Sequence, residues 1–275
     1  MTKSALRWTV CACSIALAGA ASAQNGIPDF SSNGVGWQTG NGGEYAAVPG
    51  SPTPVRNDPA HPFVPNGSGK QPTYRIGDLS NPNLKQWAKE VMKKDNDEVL
   101  AGKIAYTPYS SCHPSGVPAI DLQGGPFFFV QTPKEVLMLL QQDNQIRHIY
   151  LDVPHSNNVK PSWYGESVGH YDGDTLVVDT IGLAPKSFVD NYRTPHTTQL
   201  HVVERFRLVS GTAMEVRVRV EDPGAFTMPW NAVQRYRVDH RPGEVPLHEM
   251  VCAENNTDHF NQGLVPIPQS DRPDF

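Results

Sequence analysis

The run Leu200-His201-Val202-Val203-Glu204-Arg205-Phe206-Arg207-Leu208, followed across Ser210-Gly211 by Ala213-Met214-Glu215-Val216-Arg217-Val218-Arg219-Val220, decides the fold. Strand side chains alternate faces with a period of two. The first run therefore sets Leu200, Val202, Glu204, Phe206 and Leu208 on one face. The second sets Val216, Val218 and Val220 against Glu215, Arg217 and Arg219. A short Gly-containing link between two such runs predicts a hairpin. Glu204 thus points to the apolar side, and Asp222 continues the valine face just before Pro223. A lone buried carboxylate is costly unless paired or hydrogen-bonded, so these acids mark either a structural ion pair or a polar pocket. For Asp222 the competing reading is an Asp-Pro turn in which the side chain caps its own backbone.

Outward from this hairpin, similar runs recur. Phe127 to Val130 predicts a strand, Val136–Leu140 and Ile146–Leu151 predict a second hairpin across Asp143-Asn144, and Leu176–Thr180 and Val233–Val238 predict two more strands. No helical pattern separates them, which predicts an all-β body, mainly antiparallel, closed as a barrel or stacked as a sandwich. One N-terminal helix is expected. Asn81-Pro82 opens it, and Leu84, Trp87, Ala88, Val91 and Met92 follow at helical spacing to about Lys94, after which it resumes or ends near Ala101-Gly102. Residues 24–80 read as a Gly/Pro-rich extended arm anchored by Trp37, Tyr45 and Phe63. The β-rich domain spans 81–262, and 263–275 form a Pro-rich tail.

Residues 1–23 read as a secretory signal. Lys3 and Arg7 supply the positive start, Trp8 to Ala20 a short apolar stretch, and Ala21-Ser22-Ala23 the cleavage site. The chain is thus expected in the periplasm or secreted, beginning at Gln24, and no segment is long and apolar enough for a membrane span. Cleavage removes two basic residues, so Lys+Arg falls from 23 to 21 against 28 Asp+Glu. That acidic balance argues against nucleic acid and anionic lipid as partners. Cys112 and Cys252 remain, and in an oxidising compartment they are expected to form a disulfide. A redox or metal thiol pair is the alternative, but it lacks a Cys-x-x-Cys motif.

The segments Cys112-His113-Pro114-Ser115-Gly116, Gly165-Glu166-Ser167-Val168-Gly169, Gly173-Asp174-Thr175-Leu176-Val177-Val178-Asp179-Thr180, Glu204-Arg205-Phe206 and Cys252-Ala253-Glu254 go further. With them the chain, over roughly residues 81–260, resembles a large family of exported bacterial proteins that share this block. The resemblance implies an all-β body with the signal removed. It brings no activity and no catalytic residues with it.

Gly165-Glu166-Ser167-Val168-Gly169 has the Gly-x-Ser-x-Gly form of a nucleophile elbow, which needs a strand before the serine and a helix after it. Here Pro161-Ser162-Trp163-Tyr164 precedes and a strand follows, so the glycines read as a tight turn. His155, His170 and His196 sit beside turns at the rim of the strand body, where functional residues collect. The proposed acid–base pair joins His155 or His196 to Glu204, with Asp152 or Asp190 as the orienting acid. The competing reading for each histidine is a turn cap. Arg147 shares a face with Ile149 and Leu151, so it is the candidate to neutralise Glu204 or to clamp a substrate carboxylate. Ser167, Asp190, Asp222 and Trp230 complete the ligand-contact candidates.

No cofactor is predicted. No His-x-His or His-Glu-x-x-His spacing occurs, so no metal ligands are assigned, and a divalent metal held by converging histidines stays as an alternative. Three readings of function follow. An enzyme acting on a small organic molecule, as hydrolase, lyase or isomerase, predicts a histidine beside an acid in an open cleft. A non-catalytic small-molecule binding protein predicts an aromatic-lined pocket with its histidines turned to water. An accessory subunit predicts an exposed apolar patch and no pocket. Oligomeric state is not legible.

Overall fold

The structure is a computed structural model that describes residues 26–40, 42–141 and 145–238. The expected signal segment, Cys252 and the tail lie outside them. Among the described residues ten strands appear: β1 Trp37–Thr39, β2 Ala46–Ala47, β3 Phe127–Gln131, β4 Glu135–Leu140, β5 Gln145–Leu151, β6 Glu166–Asp172, β7 Thr175–Ile181, β8 His201–Ser210, β9 Ala213–Glu221 and β10 Trp230–Val238. Nine close into a barrel in the order β1-β3-β4-β5-β6-β7-β8-β9-β10, sealed by β1 against β10, while β2 adds to β10 from outside that ring. The expected all-β barrel is present, with one α-helix among the described residues, α1 Gln86–Leu100.

The β8–β9 hairpin follows the predicted alternation. Glu204 lies opposite Val218, Phe206 opposite Val216 and Val202 opposite Val220, and all six are buried. Aromatic rings fill much of the interior. Phe127 packs edge-on against Phe129 and Tyr236, and Phe129 against Phe206.

Four features depart from the sequence reading. The barrel is mixed, because β5 and β6 run parallel, joined by the crossover 152–165. The Gly165–Gly169 segment is mostly strand β6, not a turn: Ser167 and Gly169 point inward, and Gly169 lets Ile149 and the Val177 carbonyl approach closely. The arm supplies β1 and β2, so part of it is barrel wall; a three-residue strand carries too little alternation to be seen. The helix starts four residues late. Asn81 Oδ1 accepts from the Asn83 N–H at 2.9 Å and so caps a separate turn. The buried stripe is then Ala88, Met92 and Asn96, with Asn96 Nδ2 donating to the Gly77 carbonyl at 3.0 Å.

Candidate functional site: an internal ion pair beneath a seam cleft

The register places Ser167 on β6 beside Ile149 on β5 and Thr180 on β7. Arg147, two residues before Ile149, runs along the interior past both hydroxyls to Glu204 on β8. Its Nη1 lies 2.9 Å from Glu204 Oε1 and its Nη2 2.5 Å from Oε2, with no side-chain exposure on either partner. Nη2 also donates to Thr180 Oγ1 at 2.9 Å, and Nε to Ser167 Oγ at 3.2 Å. The bidentate geometry and the extra hydroxyls are what a buried ion pair requires.

A second acid lies in the interior near this pair. The short 3₁₀ turn Ala119–Leu122 is wholly buried and carries Asp121. Its carbonyl accepts from Tyr236 Oη at 2.9 Å and Gln234 Nε2 at 3.2 Å. Burial, and then the charge of Glu204, push the Asp121 carboxyl well above the usual carboxylate range. Tyr45 Oη donates to the Pro118 carbonyl at 2.8 Å and lies 3.3 Å from Asp121 Oδ2. A neutral Asp121 that donates from Oδ2 to Tyr45 satisfies both contacts.

Outside the wall, the parallel seam opens. At Gly165 the backbone turns left-handed (φ 63°) and leaves the sheet. A cleft of about 310 Å³ forms there, lined by the outer face of β5 (Ile146, His148, Tyr150) and by Lys160, Tyr164, Glu166 and Ser167. Ser167 is thus the residue common to the cleft floor and the internal ion pair.

Glu166 joins the cleft to a row of side chains across the outer wall. Its Oε1 lies 3.0 Å from His155 Nδ1 and 2.7 Å from the Ser156 N–H, and its Oε2 lies 2.5 Å from Ser156 Oγ. His155 Nε2 lies 2.9 Å from Asp179 Oδ1, and His201 Nε2 lies 3.0 Å from the same atom. The Ser156 hydroxyl, then its backbone N–H, hold the Glu166 carboxyl below its usual range. Burial acts to raise Asp179, but its bonds from His201 and His155 outweigh that and lower it; the Asp179 bond raises His201. The sequence reading missed Glu166, Asp179 and His201. Strand parity was the available signal for His201, which shares the polar face of β8 with Arg205 and Arg207.

The structure brings some candidates together and not others. Arg147, Glu204 and Ser167 form one cluster. His155 meets Glu166 and Asp179, not Glu204. His196 is buried away from the cleft: Nε2 lies 2.9 Å from Ser187 Oγ, Nδ1 lies 2.8 Å from the Thr197 carbonyl, and burial lowers its pKa. Asp190 accepts from the Tyr192 and Thr194 N–H groups and the Thr194 hydroxyl, bracing the 190–194 loop. Asp222 accepts from Thr197 and from the Gly224 N–H at 2.8 Å, the turn-capping arrangement. Asp152 and His170 are exposed. Trp230 is core, edge-on to Tyr45 and Phe226. Ser167 follows a crossover loop and sits within a strand, so the nucleophile-elbow context is absent. Cys112 takes a left-handed conformation, and its expected partner lies outside the described residues.

Among the described residues no group of three His, Cys, Asp or Glu side chains is arranged to hold a metal ion, and no helix is long and apolar enough to cross a membrane. Comparison with protein-family models, with curated proteins and with solved structures finds no match to this chain.

Proposed function

We propose that the chain is an exported enzyme that takes a small organic molecule into the seam cleft and moves a proton there, in a hydrolase, lyase or isomerase reaction. Glu166 is the proton acceptor. One observation supports this above others: Glu166 lines the cleft, and its carboxylate is held in place by Ser156 and His155. Its lowered pKa keeps this carboxylate ionised and able to accept a proton, as a weak base fixed in position. His155, held between Glu166 and Asp179, fixes the orientation of the Glu166 carboxylate. The tyrosines and Ile146 offer an apolar wall. The same wall supports the second reading, a binding protein that holds its ligand without chemistry.

Native mass spectrometry of the exported protein separates these. A small molecule retained by Glu166→Gln but turned over by wild type supports catalysis. Equal retention by both supports binding alone. No small molecule in either, with none blocked by Ile146→Arg, removes the cleft as a site. The proposal includes signal cleavage near Ala23 and a Cys112–Cys252 disulfide. Intact mass before and after reduction and alkylation tests both.

A further inference from the structure

The outer face of β3, β4 and β5 is apolar. Buried and outward residues alternate along all three strands. The register lines up Phe128, Leu139 and Ile146 as one outward row, and Val130, Leu137 and His148 as the next. Val130 and Ile146 are exposed by 45% and 46%, and Phe128, Leu137 and Leu139 are half-buried. The outer face of β8 and β9 differs: there Arg205, Arg207, Arg217 and Arg219 stand in water. A contiguous apolar face on a barrel wall marks a surface that another segment or molecule covers.

We infer that residues 245–251 of this same chain dock on that face, crossing β3, β4 and β5 from outside. The place where the described chain ends selects this occupant. Val238 pairs with Trp37, Trp37 with Phe127, Phe127 with Leu140, and Leu140 with Gln145, so the end of β10 lies in the row next to Phe128, Leu139 and Ile146. Four strand spacings separate β10 from β5, about 19 Å at about 4.8 Å each. The stretch from Val238 to Val245 extends to about 23 Å. Pro242-Gly243 supplies a turn out of β10, and Val245, Leu247, Met250 and Val251 then supply apolar side chains to match the face. A second copy of the chain would compete for it, but a segment joined through so short a link meets the face at an effective concentration of about millimolar. Cys252 follows at once. In the disulfide proposed above it joins Cys112, whose neighbour His113 stacks on Trp163 with ring centroids 4.8 Å apart, one residue before Tyr164 of the seam cleft. The path is thereby anchored at β10 and again beside the β5–β6 seam, the second anchor resting on that disulfide.

The test uses the purified full exported chain with the photoprobe p-benzoylphenylalanine in place of Ile146, followed by irradiation and peptide mapping by mass spectrometry. A cross-link to residues 244–252 of the same chain is expected, in a product of monomer mass. The same photoprobe in place of Val209, which is 65% exposed near the end of β8, is the control and is expected to give at least tenfold less of that product. Leu247→Asp is expected to cut the yield from position 146 at least fivefold. A link between two copies, a link that misses residues 244–252, or no link at all overturns the inference. Equal yields from the two positions, or a yield that Leu247→Asp leaves unchanged, overturn it as well. Intact mass reads the disulfide separately: a chain without it that keeps the cross-link keeps the docking surface and loses only the second anchor.

Discussion

Arg147 and Glu204 face one another across the barrel interior through two contacts, of 2.9 and 2.5 Å, with neither side chain reaching water. Removing one partner strands the other. Glu204→Ala is therefore expected to cost about 3–5 kcal/mol in chemical denaturation. The double variant Arg147→Met/Glu204→Leu is expected to regain most of that loss. Ser167 Oγ and Thr180 Oγ1, which lie 2.9 Å apart, can still bond each other. A double variant no better than the single would mean that the pair is itself net stabilising.

Gly165 is needed for steric reasons at the point where the seam opens. A Cβ there would sit 2.3 Å from the Ile181 carbonyl oxygen, at a φ that side chains seldom adopt. Gly165→Ala is expected to lose more than about 1 kcal/mol and to disturb the cleft. Gly211, whose added Cβ would meet nothing within 4 Å, is the control and should tolerate Ala. Equal thermal stability of the two variants would contradict this account of the Gly-x-Ser-x-Gly segment.

Much of the barrel was legible because β8 and β9 alternate cleanly. Glu204 and Arg147 could be turned inward from parity alone. The chemistry of the outer wall was hidden for a physical reason. In β7, Leu176, Val177 and Val178 are all buried, so the alternation that would have turned Asp179 outward is masked. Glu166 was hidden in turn by the two glycines of its segment, which read together as one turn, whereas only Gly165 turns the chain and Gly169 allows close backbone approach within β6. Pairing partners also depend on the crossover. No sequence pattern places His155 above β6 and β7 without knowing that the β5–β6 step is parallel.

The outer row has a pH signature with a defined sign. Asp179 raises His201, so the stability gained by that histidine is complete below its ordinary pKa and disappears as pH rises through the folded value. Asp179 is lowered, so its contribution is complete above the ordinary carboxylate value and is lost as pH falls through the folded one. The pair therefore supports the fold between those two limits. Asp179→Asn is expected to return the His201 titration, followed by NMR, toward its ordinary midpoint. An unmoved midpoint would show that the Asp179–His201 contact is not populated in solution. Both side chains are over a third exposed, so only a modest stability change is expected.

Asp190 gives the opposite linkage. Burial raises its carboxyl to about 6, against hydrogen bonds from Thr194 and Tyr192 that act to lower it. The folded state thus holds a proton that the unfolded chain releases near pH 4. Stability from this group is complete below the ordinary value and lost as pH rises through about 6. A displacement of this size corresponds to about 3 kcal/mol across that window. Asparagine keeps an acceptor for the two backbone N–H groups and cannot ionise. Asp190→Asn is therefore expected to flatten the decline between pH 4 and pH 6 and, above it, to match or exceed wild type in urea midpoint. The sign is decisive. A variant less stable than wild type at pH 8 would show that the ionised carboxylate, held by its three donors, is the form the 190–194 loop requires.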